Sequence, residues 1–169
     1  MAAFDERYEV EDEHYEDDED TQKDKYITFL LGDEEYAIEI KYVNEIIGML
    51  KFTHIPDTSE YIRGVIKLRN SVYPVIDMRK RFKMTEIEYG DRTCIIIVTI
   101  GDLTIGLIVD SVNEVLDIPE EHIAPAMKSN INTKNQFVKG IGKIGERIKI
   151  ILDIDKVFSE SELGSLQNI

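Results

Sequence analysis

The sequence predicts an all-β protein made of two small β-barrels that lie side by side. From Tyr26 onward the apolar segments are short, rich in Ile, Val, Tyr and Thr, and separated by Gly and Asp, which favours strands over long helices. The same series of segments occurs twice, with matching parts 69 and 76 residues apart. We therefore expect a duplicated unit, and we expect each sheet to curl into a barrel because closure removes exposed edges.

The chain begins with an acidic segment, residues 1–24, that we expect to be a disordered tail. It holds twelve acidic and two basic residues and few apolar groups to offset the entropy of ordering. The rest of the chain holds 22 acidic and 18 basic residues. A net charge of −14 argues against a general affinity for nucleic-acid phosphate or anionic lipid. The tail is either a solubilising leader or an arm that binds a basic partner.

The cysteine content and the hydropathy indicate a cytoplasmic protein. Cys94 is the single cysteine, so no internal disulfide forms, and within the run CIIIVTI it is expected to be a small buried hydrophobic residue. No segment approaches the ~20 apolar residues that span a bilayer, and the acidic N-terminus lacks the features of a signal peptide.

Each predicted unit opens with a hairpin. In the first unit the segments YITFLL and EYAIEI flank Gly32-Asp33, and in the second the segments CIIIVTI and LTIGLIV flank Gly101-Asp102. At the same offset of 69 residues, Val43-Asn44-Glu45 recurs as Val112-Asn113-Glu114. We expect a short turn-like segment here in each unit, followed by a linker with a proline near its start.

Each unit closes with a second hairpin and a helical turn. The segment YIRGVIKL at 61–68 matches FVKGIGKI at 137–144, and PVIDMRKRF at 74–82 matches IILDIDKVF at 150–158, with an offset of 76. The change from 69 to 76 implies a seven-residue insertion in the second unit, which we expect within APAMKSNINTKNQ.

These matches divide the chain into a first barrel unit, residues 25–88, and a second, residues 89–169, which ends in a helix. Whether strands are exchanged between the barrels is left open. Asp77 and Asp153 are predicted N-caps, because a carboxylate accepts hydrogen bonds from the first turn of a helix. Pro74 has no N–H to donate, so we expect its strand to lie at an edge or to begin there.

The sequence contains no pattern of residues that predicts catalysis, a metal site or a cofactor. His14, His54 and His122 are scattered, and the single cysteine leaves zinc without a ligand set. The glycines of GIGKIG, residues 140–145, lie within a strand pattern and lack the following GK[ST] and helix of a phosphate loop. We expect no enzyme, although an active site between the barrels is kept as a competing hypothesis.

Two cationic features invite an interpretation as binding sites. The cluster RKRFK, residues 79–83, is either a solvated helical turn whose Phe82 packs inward or a surface for nucleic acid or an acidic protein. Arg69 lies in a hairpin turn aligned with Gly145, and we expect Asn70 to adopt the positive φ of that turn and the guanidinium to point outward. Arg69 is then either a solvated tip or an interface anchor.

Taken together, these segments resemble the family of bacterial chemotaxis adaptors called CheW. The resemblance runs from YITFLLGDEEYAIEIKYVNEII, through HIPDTSEYIRGVIKLRNSVYPVIDMRKRF and GLIVDSVNEVL, to KGIGKIGERIKIILDIDKVF. It implies paired, five-stranded, SH3-like barrels without enzymatic activity. It also implies a scaffold that couples transmembrane chemoreceptors to the histidine kinase CheA. The implied partners are the cytoplasmic signalling tip of the receptors and the regulatory domain of CheA, with recruitment to receptor arrays at the inner face of the membrane.

By position, the resemblance implies a partner-binding surface in the groove between the barrels that includes Val43, Glu45, Gly64 and Arg69. The family pattern NLRG reads KLRN here, with Lys67 and Asn70 as the departures. We expect the kinase to contact apolar residues at the barrel ends. Two alternatives are a CheW-like adaptor in a non-chemotaxis receptor–kinase system and a small-barrel nucleic-acid-binding protein.

Overall fold

The computed structural model describes residues 22–125 and 137–168. His14, most of the acidic tail and most of the predicted insertion lie outside this part of the chain. The strands are β1 (Lys25–Leu31), β2 (Glu34–Glu39), β3 (Val43–Gly48), β4 (Ile62–Leu68), β5 (Ser71–Asp77), β6 (Cys94–Ile100), β7 (Leu103–Val109), β8 (Ser111–Asp117), β9 (Ile123–Pro125), β10 (Val138–Ile144) and β11 (Arg147–Leu152). The helices are α1 (Met78–Arg81) and α2 (Glu160–Gln167), with 3-10 turns at Ile40–Tyr42, Glu120–His122 and Ile154–Lys156.

The strands form two sheets of matching order, which confirms the predicted all-β class. Sheet I has the order β3-β6-β7-β5-β4, and sheet II has the order β8-β1-β2-β11-β10-β9. Sheet II has one strand more than the five expected. In sheet I an isolated bridge between Thr53 and Val65 takes the place that β9 holds beside β10 in sheet II. The two sheets are therefore two versions of one design.

Strands are exchanged between the two halves of the chain, so the sheets do not follow the division between residues 88 and 89. The hairpin β6–β7 from the second half completes sheet I, and the hairpin β1–β2 from the first half completes sheet II. Each exchanged hairpin has an antiparallel join on one side, β6 with β3 in sheet I and β1 with β8 in sheet II. On the other side the join is a parallel ladder, with Val75 opposite Gly106 in sheet I and Ile151 opposite Ala37 in sheet II. The two pairs are equivalent in the repeat, because Val75 matches Ile151 at the offset of 76 residues and Ala37 matches Gly106 at the offset of 69.

The proline in β5 does not mark an edge strand, which corrects that part of the expectation. β5 lies between β4 and β7, so both of its sides are covered. The ladder between β5 and β7 begins at Val75, one residue after Pro74. Pro74 therefore lies outside this ladder, and its missing N–H does not interrupt it. The matching ladder of sheet II begins at Ile150, which has an N–H.

The apolar core has three parts. One buried cluster lies within sheet I, a smaller one lies within sheet II, and the largest contains residues of both sheets. Strand β6 contributes to two of them, because Ile95 and Ile97 belong to the cluster of sheet I whereas Ile96 and Val98 belong to the shared cluster. A strand buried on both faces needs a nearly continuous apolar sequence, which explains CIIIVTI.

A carboxylate clamps the two sheets together at Asp110, in the connection from β7 to β8. It accepts hydrogen bonds from the Arg79 side chain at 2.8 and 2.6 Å and from the Gly32 backbone N–H at 2.7 Å. Arg79 follows sheet I in α1, and Gly32 is the turn of β1–β2 in sheet II. Because one carboxylate satisfies donors from both sides, its loss would loosen their contact.

The short helices begin at capping residues that stabilise their first turns. Asp77 accepts a hydrogen bond from the Lys80 N–H at 3.3 Å, as predicted, whereas Asp153 caps its 3-10 turn without a side-chain bond. Ser159 and Glu162 form a reciprocal capping box at the start of α2. The predicted C-terminal helix is thus present.

We expect Asp110→Asn to destabilise the protein near neutral pH and to weaken its sensitivity to acid. Burial raises the pKa of Asp110, but the hydrogen bonds from Arg79 and Gly32 outweigh it and hold the pKa below its ordinary value. A depressed pKa in the folded state gives stability that is present above the unfolded pKa of about 3.9 and is lost as the pH falls through the folded pKa.

Urea unfolding measures this effect. The substitution should cost about 1 to 3 kcal/mol near neutral pH and clearly less near pH 3. The control is Asp102→Asn. Asp102 is exposed in the turn of the β6–β7 hairpin, which corresponds to the Gly32 turn, and the change should alter the free energy of unfolding by no more than about 0.5 kcal/mol. Equal losses for Asp110→Asn at both pH values would contradict the clamp.

Candidate functional site

Glu45 and Arg69, two of the four residues implied by the resemblance, form a direct ion pair. The Glu45 carboxylate in β3 accepts two hydrogen bonds from the Arg69 guanidinium at the β4–β5 tip, both at 3.0 Å. The Arg69 side chain is still 71% exposed. Hydrogen bonds to Glu45 raise the pKa of Arg69, so the guanidinium stays charged. Two of its five N–H donors face Glu45, which leaves the other three for a partner.

Arg69 itself has the left-handed backbone of the turn, which corrects the expectation for Asn70. Its φ is 57°, close to the 62° of Gly145 at the matching position, and Asn70 has no positive φ. A two-residue hairpin often needs a positive φ at its first position, where glycine is favoured. An arginine in this conformation is held at an energetic cost, and such positions cluster at functional sites.

Gly64 lies beneath the surface, with internal contacts. Its φ is +146°, and a Cβ there would come within 2.1 Å of the Thr53 backbone oxygen. The matching Gly140 is similarly confined, because its Cβ would come within 2.7 Å of the Ala124 oxygen. Since the close approach recurs in both sheets, Gly64 allows the segment at Thr53 to pair closely beside β4.

The start of β3 is fixed by bonds that sequence reasoning did not predict. Val43 is half-buried and packs against the shared core. Just before it, the Tyr42 hydroxyl donates a hydrogen bond to Asp155 at 2.7 Å, and burial and this bond raise the pKa of Tyr42. Asn44 donates to the Thr99 hydroxyl at 2.8 Å. The recurrence of this asparagine as Asn113 was the sequence signal for such a role.

The arginines of the basic cluster are structural. Their side chains are 13% exposed at Arg79 and 19% exposed at Arg81. The Arg81 guanidinium lies 5.4 to 5.7 Å from three aromatic ring centres and donates a hydrogen bond to the Val157 carbonyl. Phe82 packs inward against the core, as predicted. The nucleic-acid hypothesis therefore loses two of its four cations.

Exposed apolar residues occur in matched positions of the two sheets. Ile46 in β3 corresponds to Val115 in β8, and these side chains are 41% and 52% exposed. Val72 in β5 corresponds to Ile148 in β11, at 61% and 57% exposure. Large apolar side chains that stay exposed at both copies of a repeated position suit a recurring contact with a partner.

The described residues show no constellation for catalysis. Within residues 22–125 and 137–168, no three His, Cys, Asp or Glu residues lie close enough to hold a metal. In the same residues no helix is long and apolar enough to cross a bilayer. The shifted groups serve structural bonds: burial and the bond to Glu162, for example, raise the pKa of Tyr61.

Comparisons with known proteins agree with this geometry. The sequence model of the family described as CheW-like domain matches residues 25–162. Chemotaxis protein CheW of Klebsiella aerogenes is 35% identical over 150 residues, which cover 89% of this chain and 90% of that protein. Chemotaxis protein CheW of Bacillus subtilis is 36% identical over 142 residues, which cover 84% of this chain and 91% of that protein. The crystal structure of scaffolding protein TtCheW from Thermoanaerobacter tengcongensis, 36% identical, covers 82% of this chain and 94% of its own, with a TM-score of 0.75.

We expect Gly64→Ala to destabilise the fold by about 1 to 3 kcal/mol, because the new methyl group would overlap the Thr53 carbonyl. The matched control is Gly48→Ala, since a Cβ at Gly48 has no neighbour within 4 Å. That variant should stay within about 0.5 kcal/mol of the parent. Urea unfolding measures both, and equal stability of the two variants would contradict the supporting role of Gly64.

We expect Arg69→Gly to stabilise the isolated protein, because glycine adopts the positive φ of the turn without a steric penalty. Its thermal midpoint should rise by about 2 to 4 °C. Arg69→Ala removes the same ion pair but keeps a Cβ at the strained position, so it should show no such rise. A midpoint for Arg69→Gly at or below that of Arg69→Ala would show that the arginine is not strained.

Proposed function

Because the chain belongs to the CheW-like domain family, it is a non-enzymatic chemotaxis scaffold, and we propose that it couples transmembrane chemoreceptors to the histidine kinase CheA. The observation that carries the proposal is the family match over residues 25–162, which includes the eleven strands that the structure describes. A scaffold acts by holding partners on separate surfaces, and this chain offers two kinds of surface.

The receptor-binding surface in this proposal is formed by Val43, Glu45 and Arg69, and the buried Gly64 supports strand β4, which leads to Arg69. The receptor would present its cytoplasmic signalling tip, a helical hairpin. The three remaining donors of Arg69 suit carboxylates or the backbone carbonyls at such a tip. Glu45 fixes the guanidinium before binding, so less side-chain freedom is lost on association.

The kinase-binding surfaces in this proposal contain the matched apolar residues, Ile46 and Val72 in sheet I and Val115 and Ile148 in sheet II. The partner is the regulatory domain of CheA. Two related but unlike faces suit head-to-tail contacts, which close into rings when the rotation allows. Their surroundings differ, since Arg69 pairs with Glu45 in sheet I whereas Gly145 takes that position in sheet II.

The same proposal locates the protein in the cytoplasm, at the inner face of the membrane. The signalling tips of the receptors are cytoplasmic, so a scaffold bound to them is carried into receptor arrays without inserting into lipid. The single half-buried Cys94 is compatible with a reducing compartment.

Calorimetric titration of this chain with the isolated regulatory domain of CheA, and separately with a receptor signalling hairpin, tests the proposal. We expect both to bind, and each to bind when the other is already saturating. Arg69→Ala should weaken receptor binding by at least about tenfold, as expected for a hot spot. Arg69→Lys should not restore it, because lysine cannot make the bidentate contact.

The matched control is Ile148→Gln, which removes an exposed apolar group of sheet II. It should weaken kinase binding and leave the receptor titration unchanged, the reverse of Arg69→Ala. A second series at high salt should weaken the receptor contact more than the apolar contact. Unchanged binding of both partners to Arg69→Ala, with the fold intact, would exclude this surface.

A further inference from the structure

A cavity of about 740 Å³ lies at one end of sheet II and is lined by four lysines. Lys25 lies in β1, and Lys41 lies in the turn after β2. Lys139 lies in β10, and Lys23 precedes β1 at the rim of the cavity. Four lysines from three parts of the chain thus line one opening.

The carboxylates of the lining do not neutralise these lysines completely. The three acids are Asp24, Glu39 and Glu120. Glu39 is shared by two of the lysines, with Lys139 at 2.6 Å and Lys41 at 3.2 Å. Within the part of the chain that the structure describes, no carboxylate lies within ion-pair distance of Lys23 or Lys25. The cavity is therefore cationic on a chain whose net charge is −14.

The acidic N-terminal segment joins the described residues at the rim of this cavity. Residues 1–21 contain eleven acids and one base, and Glu16–Asp20 is a run of five consecutive acids. Gln22, the first described residue, lines the cavity. At about 3.4 Å per extended residue, the whole acidic run lies within roughly 20 Å of Gln22 along the chain. A tethered segment this short has an effective concentration on the order of millimolar at its own cavity.

We propose that the acidic run Glu16–Asp20 docks onto the lysine-lined cavity of its own chain. Opposite charge drives the contact, and the short tether favours this segment over acidic groups of other molecules. Lys41 lies two residues before Val43, so the docked run would cover surface beside the start of β3. The contact does not depend on the proposed receptor surface.

Paramagnetic relaxation in the full-length chain tests the docking. A spin label is attached at Val10→Cys in a Cys94→Ser background, and broadening of the backbone amides of Lys25, Glu39 and Lys41 is measured. We expect strong broadening there at low salt, falling about threefold or more near 1 M salt, where the Debye length is about 3 Å. Broadening that is spread evenly over the surface, or that ignores salt, would overturn the proposal.

Two sets of variants identify the groups involved. The tail variant replaces the five acids by amides: Glu16→Gln, Asp17→Asn, Asp18→Asn, Glu19→Gln and Asp20→Asn. The cavity variant is Lys23→Gln, Lys41→Gln and Lys139→Gln. Its control changes three exposed lysines elsewhere: Lys51→Gln, Lys67→Gln and Lys156→Gln.

The tail and cavity variants should each lower the broadening about threefold or more, and the control should leave it unchanged. Broadening that survives neutralisation of the tail would overturn the proposal even if the cavity variant failed to fold. An equal loss of broadening in the cavity variant and in its control would also overturn the proposal. The segment would then respond to the net charge of the protein and not bind this cavity.

Discussion

Each half of this chain lacks the hairpin that its own sheet needs and obtains it from the other half. The parallel joins of β5 with β7 and of β11 with β2 close both sheets, so neither half can bury its strands alone. The shared core follows from this exchange, because each swapped hairpin packs an apolar face into it. The position of the proposed receptor surface also follows, since β3 begins where the chain leaves the exchanged hairpin of sheet II to enter sheet I.

Duplication gave two similar sheets, and a few substitutions made them unlike. In sheet II the buried Lys149 contacts Glu35, and Asn113 donates to the same carboxylate at 2.7 Å. Hydrogen bonds from these groups outweigh burial and lower the pKa of Glu35. The matching positions in sheet I, Tyr73 and Thr104, are neutral. We expect this charged pair to favour a single strand register, a role that buried polar groups play in some proteins. Two distinguishable faces are what a scaffold with several partners requires.

The sequence contained most of the elements but little of their assembly. Hairpins at Gly32 and Gly101 and the cap at Asp77 are local patterns, so they could be read directly. Strand exchange has no local pattern, because exchanged and unexchanged hairpins bury the same residues. The role of Arg79 was also out of reach, since its partner Asp110 is 31 residues away and becomes a neighbour only after folding. The assignment of positive φ to Asn70 used residue preference alone, and the turn places it at Arg69 instead.

The comparison of Arg69 with Gly145 bears most directly on function. Both residues occupy the same place in the same turn, and their φ values differ by only a few degrees, at 57° and 62°. Glycine meets this geometry without strain, so stability alone favours glycine at both positions. An arginine at this position, paired with Glu45 and with most of its side chain exposed, is therefore better explained by the proposed partner contact than by folding. In the proposed scaffold, the guanidinium at the tip of this hairpin would bind the receptor, and the second sheet, with glycine in its place, would lack that contact.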